Sequence, residues 1–557
     1  MDSSRNETTH DAQINWWVWS VVSATVVGFT LRVFRLHTQF PTGDEWHAMI
    51  VGTNYGFLAI LTSFFDGAHS IPEALYYRTL ANLGSFTEVG IYAPFVLAGT
   101  VTIGLVPFLT RDFIGRRASA LLAWFIALAP FLILYSRFAR PYGIVATLSL
   151  LSIYSLVRWD RTRLSRYLVG YGLSASLAAY FHVIAFPFVV TPIVFLLFRD
   201  IVLVRAGVAE SMRNAFLATL SIGIPTAVLL GAAAWQSYGG VTTKLAQGAL
   251  TTRSALDGYM VLIGSQELAV GVVAAGLGFL GIWSLTIDKQ SRLFSALLLT
   301  CSAAQLVTVV LLQPLAVEAP HVFARYLIPV ALPLIIFIAA GFEYAARRMP
   351  SILSIGVAAV MLIAYFGHTS AWILTRYSTQ TDLYILGKLI FGRPFERIPL
   401  DNFPQKIPAF YEMLSHKQPG EFTVVESPFR IDEYALILYQ LVHRQRVLAG
   451  ITDSLCGSGN ELMSSVFRTY GRTQLKNIVD IGDKLSLREK GVDFVVFHRS
   501  IADATGFPYP AFVDANVSGC IDHFLDDFGP AVFDDGNMIA FSIKERHPAN
   551  PRPTELD

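Results

Sequence analysis

The chain has 557 residues, 53% of them hydrophobic and only 15% charged, and its mean hydropathy is +0.50. Soluble proteins carry about 25% charged residues, so the composition excludes a wholly soluble chain and indicates a polytopic membrane protein with a soluble part. The net charge of +1 gives none of the basic excess that nucleic-acid binding needs.

The polar start through Asn15 runs straight into an apolar span, which reads as a retained anchor rather than a cleaved signal. A bilayer-spanning helix needs about 20 apolar residues. Spans are expected near 16–36, 89–110, 118–135, 141–157, 167–181, 183–198, 215–235, 267–286, 293–312, 326–345 and 351–372, about eleven in all. With the N-terminus in the cytoplasm, the inner segments hold 15 Lys and Arg residues, against 8 in the longer outer segments before residue 373. The positive-inside bias supports that orientation, and an odd number of spans then exports everything after the last.

The fold class expected is therefore a polytopic α-helical membrane protein with a C-terminal exported α/β domain. Residues 1–372 form the transmembrane part, with an outer loop at 37–88, and residues 373–557 form the extracytoplasmic domain. Within the outer loop, Glu45–Phe65 and Pro72–Leu83 read as amphipathic helices lying at the membrane surface. The Gln236–Gln266 loop is polar and Gly/Thr-rich, without a clear period. From about 376 the composition turns globular. Phe422–Glu426, Arg446–Gly450, Val492–His498 and Met538–Ile543 are strand-like runs, and Ile407–His416, Glu433–His443 and Tyr509–Phe528 are helix-like. Cys301 lies in a span, whereas Cys456 and Cys520 share the exported domain and could bridge there.

Four outer stretches could carry chemistry. Asp44 and Glu45 form an acidic pair just past the first span. Asp44 also suits the cap of a helix starting at Glu45, which would hold the carboxylate rigidly. Arg137 and Arg140, in Tyr135-Ser136-Arg137-Phe138-Ala139-Arg140-Pro141-Tyr142, lie on the outer face. They can snorkel to lipid phosphates or clamp a substrate phosphate through their planar forks of donors. His321 and Arg325 approach a later span from outside. His182 sits between two spans, where an interhelical hydrogen bond is the commoner use. His47 follows the acidic pair without a recognised metal-ligand spacing. A carboxylate can take the proton of an acceptor hydroxyl, and cations can stabilise a departing phosphate. Nucleotide sugars are not at hand outside the cell, so a lipid-linked phosphosugar is the natural donor.

These stretches, in order, resemble motifs of the GT-C membrane glycosyltransferases, in the bacterial branch of protein O-mannosyltransferases and the lipid A aminoarabinose transferase. The matching pieces are Gly43-Asp44-Glu45, Pro72-Glu73-Ala74-Leu75-Tyr76-Tyr77, Glu88 with Pro94, the Tyr135–Tyr142 run, and Arg325-Tyr326-Leu327-Ile328-Pro329. The resemblance covers roughly residues 16–345. It implies a GT-C-like fold and an inverting transfer of sugar from a polyprenyl-phosphate donor to an envelope glycan, glycolipid or protein acceptor, in a bacterial plasma membrane. Asp44 would act as base or orient the acceptor hydroxyl, with Glu45 shaping the site. Arg137, Arg140 and Arg325 would contact the donor phosphate, and His47, Tyr77, Glu88, Tyr142, His182 and His321 are further candidates for binding substrate. The sequence neither requires nor excludes a divalent metal. Two positions depart from the family pattern: Tyr92 stands where it has Arg, and Phe138 where an acid is common. The rival readings are a transporter or flippase of lipid-linked saccharides, and a non-catalytic subunit that places glycan.

Overall fold

The computed structural model describes residues 3–34, 36–39, 41, 45–65, 70–199, 208–242, 248–265, 268–315, 317–318, 320–350, 352–359, 361, 407–427, 439–440, 442–451, 475–499 and 517–543. The chain divides into two units. One contains Met1–Leu36, His47–Ser85 and Val89–Leu374; the other contains His37–Trp46, Phe86–Glu88 and Thr375–Asp557.

The first unit is helical. Its elements run α1 (Ser3–Val33), α2 (Glu45–Asn54), α3 (Phe57–Thr62), α4 (Ile71–Asn82), α5 (Glu88–Ile114), α6 (Arg116–Leu128), α7 (Pro130–Ser136) and α8 (Tyr142–Thr162). They continue with α9 (Ser165–Phe181), α10 (Phe186–Phe198), α11 (Val208–Thr242), α12 (Thr252–Ile263), α13 (Leu268–Ile287), α14 (Arg292–Leu312), α15 (Pro320–Tyr326) and α16 (Ile328–Ala346). Among the described residues, α1, α5, α8, α11, α13, α14 and α16 are long and apolar enough to cross a membrane. The pair α6 and α7 makes an eighth candidate, bent by 57°. Every expected span up to residue 345 is met by a helix, although α9 with 17 residues and α10 with 13 are short for a straight crossing. The expected span at 351–372 lies largely outside the described residues. The Gln236–Gln266 stretch, read as an irregular loop, instead contains the end of α11 and all of α12, which Thr251 caps by accepting from Ser254 N.

The bend between α6 and α7 follows from Pro130. Proline has no N–H to give the carbonyl four residues back, so Ile126 O loses its helical donor. Close packing elsewhere depends on small residues. A Cβ on Gly281 would lie 1.9 Å from Phe337 O, and one on Gly341 would lie 1.8 Å from Leu277 O. The backbones of α13 and α16 therefore touch where both helices lack side chains, the usual device for apposing membrane helices.

The second unit holds a six-stranded sheet of β1 (Thr423–Ser427), β2 (Arg446–Ile451), β3 (Ile478–Asp480), β4 (Phe494–His498), β5 (Phe533–Asp534) and β6 (Met538–Ser542). The strand order is β3-β2-β1-β4-β6-β5. Strands β1 to β4 are parallel, β6 is antiparallel to β4, and β5 is antiparallel to β6. From β1 the chain builds outward through β2 and β3, then crosses to place β4 on β1's other side. The strand order thus reverses between β1 and β4. Helix α17 (Ala409–Ser415) covers one face through Phe410, Tyr411 and Leu414. Helices α18 (Lys484–Glu489) and α19 (Val517–Phe528) cover the other through Leu487, Ile521 and Phe524. Cys520 is disulfide-bonded and Cys301 is free and buried; Cys456 lies outside the described residues.

Candidate active site

In the first unit, α4, the α7–α8 corner, the turn after α9 and the end of α15 carry most of the residues expected to act. Arg137 is the C-cap residue of α7, and its corner with Arg140 closes at Pro141, just before α8 begins. The Arg137 guanidinium is buried, and its Nη1 donates to the carbonyls of Phe34 (2.6 Å), Arg32 (3.1 Å) and Leu31 (3.4 Å). These are carbonyls left over at the end of α1. Burial lowers the Arg137 pKa to about 10, against which Tyr92 pulls upward, so the group stays a cation at neutral pH.

A second arginine holds this corner from α1. Arg32 Nη2 donates to Ile126 O (3.1 Å), the carbonyl that Pro130 deprives, and Nη1 donates to Ala127 O (3.1 Å) and Gly28 O (2.9 Å). Its Nε donates to Ser136 Oγ (3.0 Å). Helix α5 passes close here, since a Cβ on Gly99 would lie 2.0 Å from Ser136 Oγ.

Arg140 is buried against Glu73 of α4, with Nη1 3.8 Å from Oε2. Tyr77, one turn further along α4, donates to Ala139 O at 3.5 Å. Tyr142 gathers two other expected residues. Its ring lies 5.5 Å from His182, and the Arg325 guanidinium stands 6.0 Å from its centroid. Phe138 packs 6.4 Å from the same ring, near-parallel to it. His182 Nδ1 accepts from Ile184 N (3.2 Å), which leaves the proton of a neutral ring on Nε2. Gln305, a buried amide in the apolar α14, donates through Nε2 to Ile184 O (3.0 Å) and Tyr326 O (2.9 Å). It thereby ties the His182 turn to the Arg325 corner.

Glu73, Arg32, Ser136 and Gln305 are absent from the residues expected to act. A charge and an amide inside apolar spans are themselves signals of a partner, and would have flagged Arg32 and Gln305. Glu73 is hidden by its ordinary helical context. His47 is half-buried in α2, and His321 lies within α15. Asp44 lies outside the described residues.

Glu45 and Glu88 belong to the second unit. Glu45 is fully buried at the start of α2, and the neighbouring Trp46 Nε1 donates to Pro41 O at 3.0 Å. Glu88 Oε1 accepts from the backbone N–H groups of Lys476 and Asn477, at 3.0 Å for the latter. Asn477 Nδ2 in turn donates to His37 O (3.0 Å) and Gln39 O (3.2 Å). Glu88, expected at a substrate, thus anchors the start of β3. Among the described residues, no group of three or more His, Cys, Asp or Glu could hold a metal ion.

The sequence family described as dolichyl-phosphate-mannose-protein mannosyltransferase matches residues 70–225, the segment that holds Glu73, Tyr77, Arg137, Arg140, Tyr142 and His182. Compared with curated proteins by sequence, the chain has no match. Among solved structures, ArnT from Cupriavidus metallidurans bound to undecaprenyl phosphate is similar at 14% identity and a TM-score of 0.49, over 97% of this chain and 99% of that one. The Archaeoglobus fulgidus oligosaccharyltransferase in complex with Zn and sulfate is similar at 14% identity and a TM-score of 0.41, over 86% of this chain and 68% of that one. The family match spans residues 70–225, and over that segment the chain is similar to those mannosyltransferases.

Proposed function

We propose that the protein moves a sugar from a polyprenyl-phosphate donor to an envelope glycan, glycolipid or protein acceptor at the extracytoplasmic face of a bacterial plasma membrane. The observation that carries this reading is one coincidence. The segment matching a family named for a lipid-phosphate sugar donor also holds the buried Arg137–Arg140 corner and the Tyr142–His182 contact. Arg140 and Arg325, with the Tyr142 and His182 rings, suit a phosphate leaving group and a sugar ring better than they suit lipid contact.

In the proposed reaction, Asp44 takes the proton of an acceptor hydroxyl as that oxygen attacks the anomeric carbon. The bond from that carbon to the phosphate oxygen breaks, and polyprenyl phosphate departs with the bond's electron pair. Arg140 and Arg325 stabilise the charge that gathers on the phosphate. Single displacement inverts the anomeric centre and needs no covalent enzyme intermediate. Residues 1–372 form the catalytic domain in this reading, and residues 373–557 the extracytoplasmic one.

The test is to incubate purified protein with a panel of polyprenyl-phosphate sugars and detect free polyprenyl phosphate by mass spectrometry. One donor should be turned over, and Asp44→Asn should abolish turnover while leaving expression and unfolding temperature unchanged. Release by no donor, or undiminished release by Asp44→Asn, would overturn the reading.

A further inference from the structure

The loop that carries the acidic pair is held by a residue near the other end of the chain. His37–Trp46 belongs to the second unit, together with Thr375–Asp557. Asn477, the residue before β3, donates through Nδ2 to His37 O at 3.0 Å and to Gln39 O at 3.2 Å, across 440 and 438 residues of sequence. The first carbonyl lies in the short helical turn Leu36–Thr38 and the second just after it. Trp46 braces the loop from its other side, donating from Nε1 to Pro41 O at 3.0 Å. Gln39, Glu45 and Trp46 are all buried.

Asn477 is itself fixed on three counts. Its N–H donates to Glu88 Oε1 at 3.0 Å, and its carbonyl accepts from Ala449 N of β2 at 3.0 Å. Lys490 Nζ donates to the carbonyls of Leu475 (3.3 Å) and Ile478, on either side of it. Asn477 is buried, so its amide cannot trade these partners for water. Strand β3 is an edge of the sheet, and an edge covered by a loop is shielded from pairing with other chains. Any covering segment would meet that need. It does not call for a side-chain amide that grips two carbonyls of the loop.

A base must be held within a fraction of an ångström of the hydroxyl it serves, and a loop gains that precision from the side chains that brace it. Without such braces, every residue of the loop would lose backbone entropy on ordering with nothing to offset it. Here the chain is braced at Gln39 and Pro41 before Asp44 and at Trp46 after it. We infer that Asn477 is a positioning residue for the transfer: through His37 and Gln39 it holds the loop that carries Asp44 and Glu45, so the reaction depends on the C-terminal α/β unit. The inference rests on the proposed role of Asp44, whereas the attachment of the loop to Asn477 does not.

The experiment uses the full chain in detergent. Hydrogen exchange is read at residues 37–39 and 45–46, and turnover with a polyprenyl-phosphate hexose or pentose that the native chain accepts. Asn477→Asp keeps the side chain's shape but sets an acceptor opposite two carbonyls. It should speed exchange at those residues and lower kcat tenfold or more, since a misplacement of about 1 Å can cost on the order of 10²-fold. KM for the lipid donor should change by less than about twofold. Asn477→Gln retains the donor on a longer arm and should recover part of both losses. Asp493→Ala is the comparator for instability alone. It removes the acceptor of Thr423 N (2.8 Å) at the start of β1, two strands from β3, and should lower the unfolding temperature while folded molecules keep the native kcat. Unchanged exchange at 37–39 in Asn477→Asp, faster exchange with a native kcat, or an equal loss of kcat in Asp493→Ala would overturn the inference. If the native chain turns over no donor, the transfer reading fails and the positioning role falls with it, while exchange at 37–39 still decides whether Asn477 holds the loop.

Discussion

Arg32 and Arg137 each secure the helix system that carries the other. Arg32, on α1, supplies the donors missing at the α6–α7 break, and Arg137, at the end of α7, caps α1. Both guanidiniums are buried, so neither can exchange its carbonyl partners for water. Arg32→Met should therefore strand Ile126 O and Ala127 O and lower stability by about 2–4 kcal/mol, read as a fall in thermal unfolding temperature in detergent. Arg32→Lys has a single donor centre in place of the planar fork and should fall between the two. An Arg32→Met protein as stable as the native one would show that the carbonyls find other donors.

The Glu73–Arg140 pair separates structure from substrate contact. Its 3.8 Å spacing is wider than a hydrogen bond, which suits a cation shared between a carboxylate and a ligand oxygen. If Arg140 meets the donor phosphate, Arg140→Met should raise the KM for the lipid donor tenfold or more. Glu73→Gln, which removes the competing charge, should lower that KM. A purely structural pair would show a loss of stability for Arg140→Met of about 3–5 kcal/mol with no change in KM among the molecules that fold.

Sequence pattern made the helical architecture and the principal strands legible for plain reasons. Long apolar runs such as Leu268–Ile287 have few alternatives to a helix in lipid, and β-branched runs such as Thr423–Ser427 read as buried strands. Strands β3 and β5 were not legible, because three and two residues are too few to show a period. Helix α12 was obscured by the Gly- and Thr-rich residues on its N-terminal side. The arginines at 137, 140 and 325 stood out by charge on the face expected to lie outside, but their separate uses could not be read from it. Which arginine caps a helix and which faces a carboxylate depends on carbonyls more than 100 residues away for Arg137, and on Glu73 for Arg140. The partners of Glu88 were beyond any local pattern, being the amides of Lys476 and Asn477.

Glu88 invites a direct test of that long-range use. Glu88→Ala leaves two backbone donors at the start of β3 without their acceptor and should destabilise the second unit by about 2 kcal/mol. Hydrogen exchange at Ile478–Asp480 should speed up accordingly. Glu88→Gln keeps a side-chain carbonyl and should restore most of the protection. Equal protection in Glu88→Ala and the native protein would sink the anchoring role.

His443 gives the second unit a defined response to acid. Burial lowers its pKa from the ordinary 6.5 to about 3, so the folded chain keeps the ring neutral where the unfolded chain would take up a proton. The sign follows from that difference. His443 costs nothing above about pH 6.5, and the unfolded state gains increasingly as the pH falls from there toward about 3. By about pH 4.5 the loss should reach about 3 kcal/mol. Thermal unfolding followed from about pH 7.5 to about pH 4.5 should show the decline, and His443→Phe should flatten it relative to the native chain. A Tyr439→Phe variant leaves the imidazole buried and should keep the native slope. An identical slope in His443→Phe would assign the acid response to other groups and return the His443 ring to an ordinary solvated pKa.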